Sequence, residues 1–192
     1  KIELAKLNIE SQFINGLRVT NKQTMSVVEK ALVNFNSEII EKLKKKGCKA
    51  NGLNVGQNNI FIVEQENKAL GFVGKPKKIL YEKIQSILDQ QQIPVISPMG
   101  KDEEEEKYNI NADTAAAAIA KSLKSRRLLL MTDVPGVYDE NKKLINEINP
   151  VEAKDLINKK IVEGGMIPKL LNSIDAIENG VKGVVIIDGR KL

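Results

Sequence analysis

The segment EGGMIPK, residues 163–169, sets two glycines ahead of a lysine at the start of an apolar-striped run. Pro168 near the first helical turn and Asn179 with Gly180 at the far end mark that run as a helix. Lys169 then lies in the first turn, where the helix dipole disfavours a cation by roughly 0.3–1 kcal/mol unless a negative group neutralises it. A phosphate does so. Glycines admit an anion to the backbone, helix N–H groups bind it, and the lysine adds a point charge. The plain alternative is a solvated surface lysine behind an ordinary glycine turn.

Three further segments carry groups of the same kind. In NINADTAAAAIA, residues 109–120, Asn109, Asn111 and Asp113 precede an alanine run that favours helix. Asn111 or Asp113 can cap its first turn, and capping needs only one of them, which leaves donors and acceptors for a ligand. In FINGLRVT, residues 13–20, Arg18 sits in a tight glycine-containing loop before a helix. Its guanidinium suits bidentate carboxylate recognition, although a loop arginine can simply face water. TDVPGVYD, residues 132–139, puts a Pro–Gly turn after an apolar strand, either as a plain strand exit or as a nucleotide-lining turn.

Composition removes several chemistries. The chain has no histidine, so no imidazole base, serine–histidine triad or histidine-held zinc is available within it. One cysteine, Cys48, allows no internal disulfide and no thiolate metal site, which fits a reducing, cytoplasmic setting. The net charge of +5 is scattered and aromatics make up only 4%, too few for a base-stacking platform, so nucleic acid is not the expected partner. No apolar run approaches the roughly 18 residues of a membrane helix, and a soluble protein is expected. The run DEEEE, residues 102–106, reads as a solvated loop tip because adjacent carboxylates repel.

The elements that must position these groups follow from periodicity. Thr20 with Gln23 suggests a capping box opening a helix to about Lys46, interrupted near residues 34–36 and stopped at Gly47. Short β-rich pieces follow, KANGLNV, NNIFIVEQ and LGFVG, expected as strands and hairpins. From Lys83 onward helices and strands alternate, and apolar runs such as residues 128–131 and 184–187 read as parallel strands covered by helices on both faces. Ser97, Thr132, Asp133 and Asp188 lie at the carboxyl ends of such strands, where open α/β sheets bind ligands.

Taken together, FINGLRVT, YNINADTAAAAIA, LLLMTDVPGVYD, EGGMIPK and GVVIIDGR occur in an order and spacing that resembles the acetylglutamate kinases of the amino-acid kinase family. The resemblance covers nearly the whole chain. It implies an α/β fold, a three-layer αβα sandwich around a mainly parallel open sheet. Residues 1–107 would form a lobe for N-acetyl-L-glutamate and residues 108–192 a lobe for ATP. The implied reaction moves the γ-phosphoryl group of ATP, taken as MgATP with no protein metal ligand, to the side-chain carboxylate, a step of arginine biosynthesis. Carried over by motif, Arg18 and Asn109 match substrate-binding positions. Asp113 matches an aspartate that organises catalytic lysines, and Lys169 a lysine that stabilises the transferring phosphoryl group. Asp133, Val134, Pro135, Gly136, Val137 and Tyr138, with Gly164, Gly165 and Met166, match nucleotide-binding segments.

Phosphoryl transfer to an ionised carboxylate needs alignment and charge compensation rather than a general base, in keeping with a chain that lacks histidine. The resemblance further implies a homodimer or higher homo-oligomer, and glycine-rich anion-binding segments upstream with a closing segment downstream of these residues. It leaves arginine open as an effector. Glutamate 5-kinase, carbamate kinase, aspartokinase and uridylate kinase are the alternatives within the same fold, and a non-catalytic ligand-binding relative is the alternative of another class. Arg18 with NINAD favours acetylglutamate, and Asp113 with Lys169 favours a kinase.

Overall fold

The computed structural model describes residues 2–6, 9–14 and 16–191. The chain divides into two units, Lys1–Ala115 and Ala116–Leu192. The first opens with helix α1 (Ile2–Ala5) and a hairpin of two-residue strands, β1 (Phe13–Ile14) and β2 (Leu17–Arg18). Helix α2 (Lys22–Lys45) follows, capped by Asn21, whose side chain accepts the Thr24 N–H at 2.8 Å. Thr20, expected to be the cap, is instead fully buried and bridged to Gly71. Its N–H donates to the Leu70 carbonyl at 2.9 Å and its carbonyl accepts from the Phe72 N–H at 2.7 Å. The interruption expected near residues 34–36 is absent. Asn36 is buried within the helix, and its side-chain amide donates to the Val95 carbonyl at 2.9 Å, which satisfies a polar group that would otherwise disfavour burial. Lys42, Lys44 and Lys45 fill the last turn, where cations complement the dipole.

Six strands and one helix complete this unit. They are β3 (Ala50–Leu53), β4 (Phe61–Gln65), β5 (Gly74–Ile79), α3 (Tyr81–Asp89), β6 (Ile93–Ile96), β7 (Met99–Lys101) and β8 (Lys107–Asn109). β3 pairs in parallel with β6, and a mixed sheet runs β5-β4-β7-β8. LGFVG does not form the strand expected of it: residues Lys68–Leu70 make a 3₁₀ turn, and β5 starts only at Gly74. β5 is an edge strand, and its Pro76 with Lys75, Lys77 and Lys78 are residues that discourage further pairing. Ile60, Phe61, Ile84, Met99 and Ile110 are buried, each contributing about 1.5–3 kcal/mol of apolar transfer. Met25 of α2 packs with Val55 and Met99, which seats the helix on the strands. The acidic run forms the β7–β8 tip as expected, with the Asp102 carboxylate accepting the N–H groups of Glu104 and Glu106.

Helix α4 (Ala112–Ser122) crosses the division between the units. The second unit continues with β9 (Leu128–Thr132), α5 (Pro150–Asn158), α6 (Met166–Glu178) and β10 (Val184–Asp188). β9 and β10 pair in parallel from Leu128↔Val184 to Thr132↔Asp188. α5 starts at a capping box of Asn149 and Glu152 with Pro150 in the first turn. Leu128 and Leu130 pack with Ala117 and Ala120 of α4 and Ala176 of α6, small residues that let helix and sheet approach closely. A second cluster joins Val137, Ala153 of α5, and Leu170 and Ile174 of α6. On the alternate face Leu129 and Met131 are 56% and 54% exposed, so among the described residues the apolar run is covered on one face, not on both. The α/β class with parallel strands is as expected.

Gly71 has φ +68, and a Cβ there would strike the Thr20 carbonyl oxygen. Gly71→Ala is therefore expected to cost at least about 1–3 kcal/mol in backbone strain, with steric conflict added. Urea unfolding of the full-length protein measures this. A midpoint equal to that of the native protein would show that the Thr20 contact relaxes freely.

Candidate active site

In the first unit the residues 71–73 form a seam. Thr20 bridges Gly71, and Val73 bridges Asn109. The Phe72 N–H donates to the Thr20 carbonyl at 2.7 Å, while its own carbonyl accepts the Asn109 N–H at 2.9 Å. One short segment thus holds the chain just after Arg18 on one side and Asn109, at the end of β8, on the other. Arg18 is half-buried; its Nη1 donates to Ser11 Oγ, and its guanidinium carbon lies 4.7 Å from the Phe13 ring centroid. Neither Ser11 nor Phe13 was singled out from the sequence, because nothing in a local pattern marks the residue opposite an arginine in a hairpin.

The start of α4 resolves which polar residue caps it. Asn111 Oδ1 accepts the N–H groups of Asp113 at 3.0 Å and Thr114 at 3.1 Å. The cap is thus made by Asn111, and Asp113, half-buried, does not supply it.

In the second unit Lys169 is only 7% exposed, which removes the solvated-surface reading. Burying an ammonium carries a desolvation cost of about several kcal/mol unless it is compensated. Helix α6 starts at Gly165 with no side-chain cap, and neither Gly164, at φ +57, nor Gly165 has any atom within 4 Å of where a Cβ would lie. Open space thus adjoins the helix start, with Met166 as its first residue.

The turn after β9 carries exposed Asp133, Pro135 and Tyr138, half-buried Val134, and buried Gly136 and Val137. A cavity of about 540 Å³ is lined by Pro135, Gly136 and Val137 together with Ile174 and Ile177 of α6, among others. That volume is in the range of small-molecule sites. Arg190, the last residue of GVVIIDGR but given no role from the sequence, ties the strand ends together. Its Nε and Nη2 each donate to the Asp188 carboxylate at 2.9 Å, its backbone N–H donates to the same group at 3.0 Å, and Nη2 also reaches the Asp133 carbonyl at 2.5 Å. The Arg190 guanidinium first, and its backbone N–H second, hold Asp188 well below the ordinary value of 3.8, at about 2.

A family model described as the amino acid kinase family matches residues 2–188. The chain belongs to this family. An acetylglutamate kinase of Pelagibacter ubique (strain HTCC1062) is 52% identical to it over 189 residues, covering 98% of this chain and 66% of that protein. An acetylglutamate kinase of Clostridioides difficile (strain 630) is 45% identical over 192 residues, covering 97% and 67%. Among solved structures, a Streptococcus mutans UA159 protein superposes with a TM-score of 0.91 at 32% identity, over 96% of this chain and 76% of that one. The chain spans about two thirds of the length of the two curated relatives. Its amino acid kinase fold is the one that the sequence motifs implied, and among the described residues no helix is long and apolar enough to cross a membrane.

Because the folded pKa of Asp188 lies below its ordinary value, the ion pair stabilises the fold fully above about pH 4 and ceases to as the pH falls toward about 2. Asp188→Asn should accordingly unfold at lower temperature than the native protein near neutrality, with the gap closing across that acid window. Thermal unfolding followed from neutral to acid pH measures it. A gap that stays constant with pH would mean that the lost stability is not that of the ionised pair.

Proposed function

We propose that the protein containing this chain phosphorylates the side-chain carboxylate of N-acetyl-L-glutamate with ATP, giving N-acetylglutamyl 5-phosphate for arginine biosynthesis. The observation that carries this reading is the burial of Lys169 in the first turn of α6, beside two glycines with open space around them. The helix start attracts an anion through its N–H groups and dipole, and the lysine charge beside it adds to that attraction. That the relatives at 52% and 45% identity are acetylglutamate kinases favours this acceptor over glutamate, carbamate, aspartate or UMP.

The roles follow from charge. An ionised carboxylate must approach a polyphosphate, and two unit charges 4 Å apart at an effective dielectric of 20 repel by about 4 kcal/mol. Arg18 and Asn109 hold the acceptor by its carboxylate and amide groups, and the seam at residues 71–73 gives both a fixed base. Lys169 offsets charge on the phosphoryl group as it leaves ADP, and Asp113 orients the cations around it. The segments 133–138 and 164–166 line the nucleotide, which enters as MgATP, so the metal comes with the substrate. On this reading residues 1–107 serve acetylglutamate and residues 108–192 serve ATP, in a cytoplasmic homodimer or higher homo-oligomer.

The test is acetylglutamate-dependent ADP release by the full-length protein, with glutamate, aspartate, carbamate and UMP as competing acceptors. Lys169→Ala should lower kcat by about 10²-fold or more, the usual loss on removing a preorganised electrostatic donor. Normal turnover in that variant would refute the catalytic role. Arg18→Ala should raise the KM for acetylglutamate about tenfold or more with the KM for ATP little changed, because it deletes a charge-assisted contact to one substrate only. An unaltered acetylglutamate KM would take Arg18 out of the site.

A further inference from the structure

Phe13 is a large apolar side chain left 49% exposed on a strand of two residues. Its place in the hairpin is specific. Phe13 is the register partner of Arg18, so the two side chains lie on the same face of the ribbon as a directly opposed cross-strand pair. The Arg18 guanidinium carbon is 4.7 Å from the ring centroid, well within the roughly 6 Å over which an aromatic face attracts a cation. Ser11 Oγ accepts from Nη1 of the same guanidinium. Ring and hydroxyl together fix a side chain that has many rotamers when unrestrained.

The geometry matters for recognition because the guanidinium is planar. A ring against its face uses the π surface and leaves the N–H groups along the edge, and the edge is what a carboxylate meets in a bidentate contact. Among the described residues the guanidinium reaches one hydrogen-bond acceptor, Ser11, so most of its five N–H groups are left for an incoming ligand. An arginine already held in that orientation loses less freedom on binding.

We infer that Phe13 is a positioning residue for substrate: its ring holds the Arg18 guanidinium face-on, with the N–H edge presented to the substrate carboxylate. This rests on the reading of Arg18 as an acetylglutamate-binding residue. Phe13 acts through Arg18 and touches no reacting atom.

The experiment is a double-mutant cycle in the full-length protein, with Phe13→Leu, Phe13→Tyr, Arg18→Ala and the Phe13→Leu/Arg18→Ala pair. Leucine keeps apolar bulk and removes the π face; tyrosine keeps both. The KM values for acetylglutamate and ATP, kcat, and thermal unfolding are measured for each. Phe13→Leu should raise the acetylglutamate KM about two- to fivefold with kcat and the ATP KM unchanged, and Phe13→Tyr should restore it to near the native value. In the Arg18→Ala background Phe13→Leu should add nothing, since the group it positions is gone. An unchanged KM in Phe13→Leu overturns the inference. So does a rise that persists without Arg18, or one that tyrosine fails to rescue, because each marks a packing role for the hairpin. If Arg18→Ala itself leaves the acetylglutamate KM at the native value, the reading of the substrate site fails first and the inference with it.

Discussion

Parallel pairing of β9 with β10 is the constraint that organises the second unit. Two parallel neighbours begin at the same edge, so the chain leaving β9 must travel back before it can enter β10. Helix α6 makes the return. Its 13 residues span about 20 Å at 1.5 Å each, enough to run back along strands of five residues that span about 16 Å. A returning helix must start at the edge where the strands end. The first turn of α6, with Lys169, is thereby brought to the same edge as the turn after Thr132 and the Asp188–Arg190 pair. These groups are far apart in sequence, and what assembles them is the topology rather than any local preference.

Stability alone gives little reason for charges at that edge. The Arg190 side chain is 66% exposed, and an ion pair with one partner in water gains only modest Coulomb energy. Asp188, whose side chain is 5% exposed, is satisfied by three N–H donors of a single residue, and the same guanidinium fixes the Asp133 carbonyl. The pair therefore sets the geometry at the point where the chain leaves β9. Lys169 is buried as well, in the first turn of α6.

Local signals were legible wherever the determining residues were neighbours. Helix α6 could be read from Pro168 and the Asn179–Gly180 stop, and the acidic tip at residues 102–106 from mutual repulsion. Partners remote in sequence were not. Thr20 with Gln23 matches a capping box, yet Thr20 is recruited by residues about fifty positions later, and the cap passes to Asn21. Asn36 looks like a helix breaker until its acceptor, the Val95 carbonyl, is placed beside it. LGFVG has strand composition, but the bridges at Gly71 and Val73 claim part of it, and the regular strand moves to GKPKKI. Of the candidate site, the helix starts that carry Lys169 and Asp113 were legible from capping and breaker residues. Ser11, Phe13 and Arg190 were not, because their significance lies in what folding sets opposite them.

The anchoring of Arg18 shows how a marginal element becomes a precise one. A hairpin with two paired residues on each strand has too few hydrogen bonds to hold a shape by itself. The order comes from two residues further on, where fully buried Thr20 is hydrogen-bonded through both its N–H and its carbonyl to residues 70 and 72. The Thr20 hydroxyl donates back to the Arg18 carbonyl at 3.0 Å, which carries that order one step toward the hairpin. Close approach at Thr20 requires a residue without a Cβ opposite it, and Gly71 is that residue. The same short segment then accepts the Asn109 N–H through the Phe72 carbonyl. Arg18 and Asn109 are thus referred to a common backbone, and any shift of residues 71–73 would move both. Contacts made through Arg18 and Asn109 therefore share one reference, three residues of backbone that carry no charge of their own.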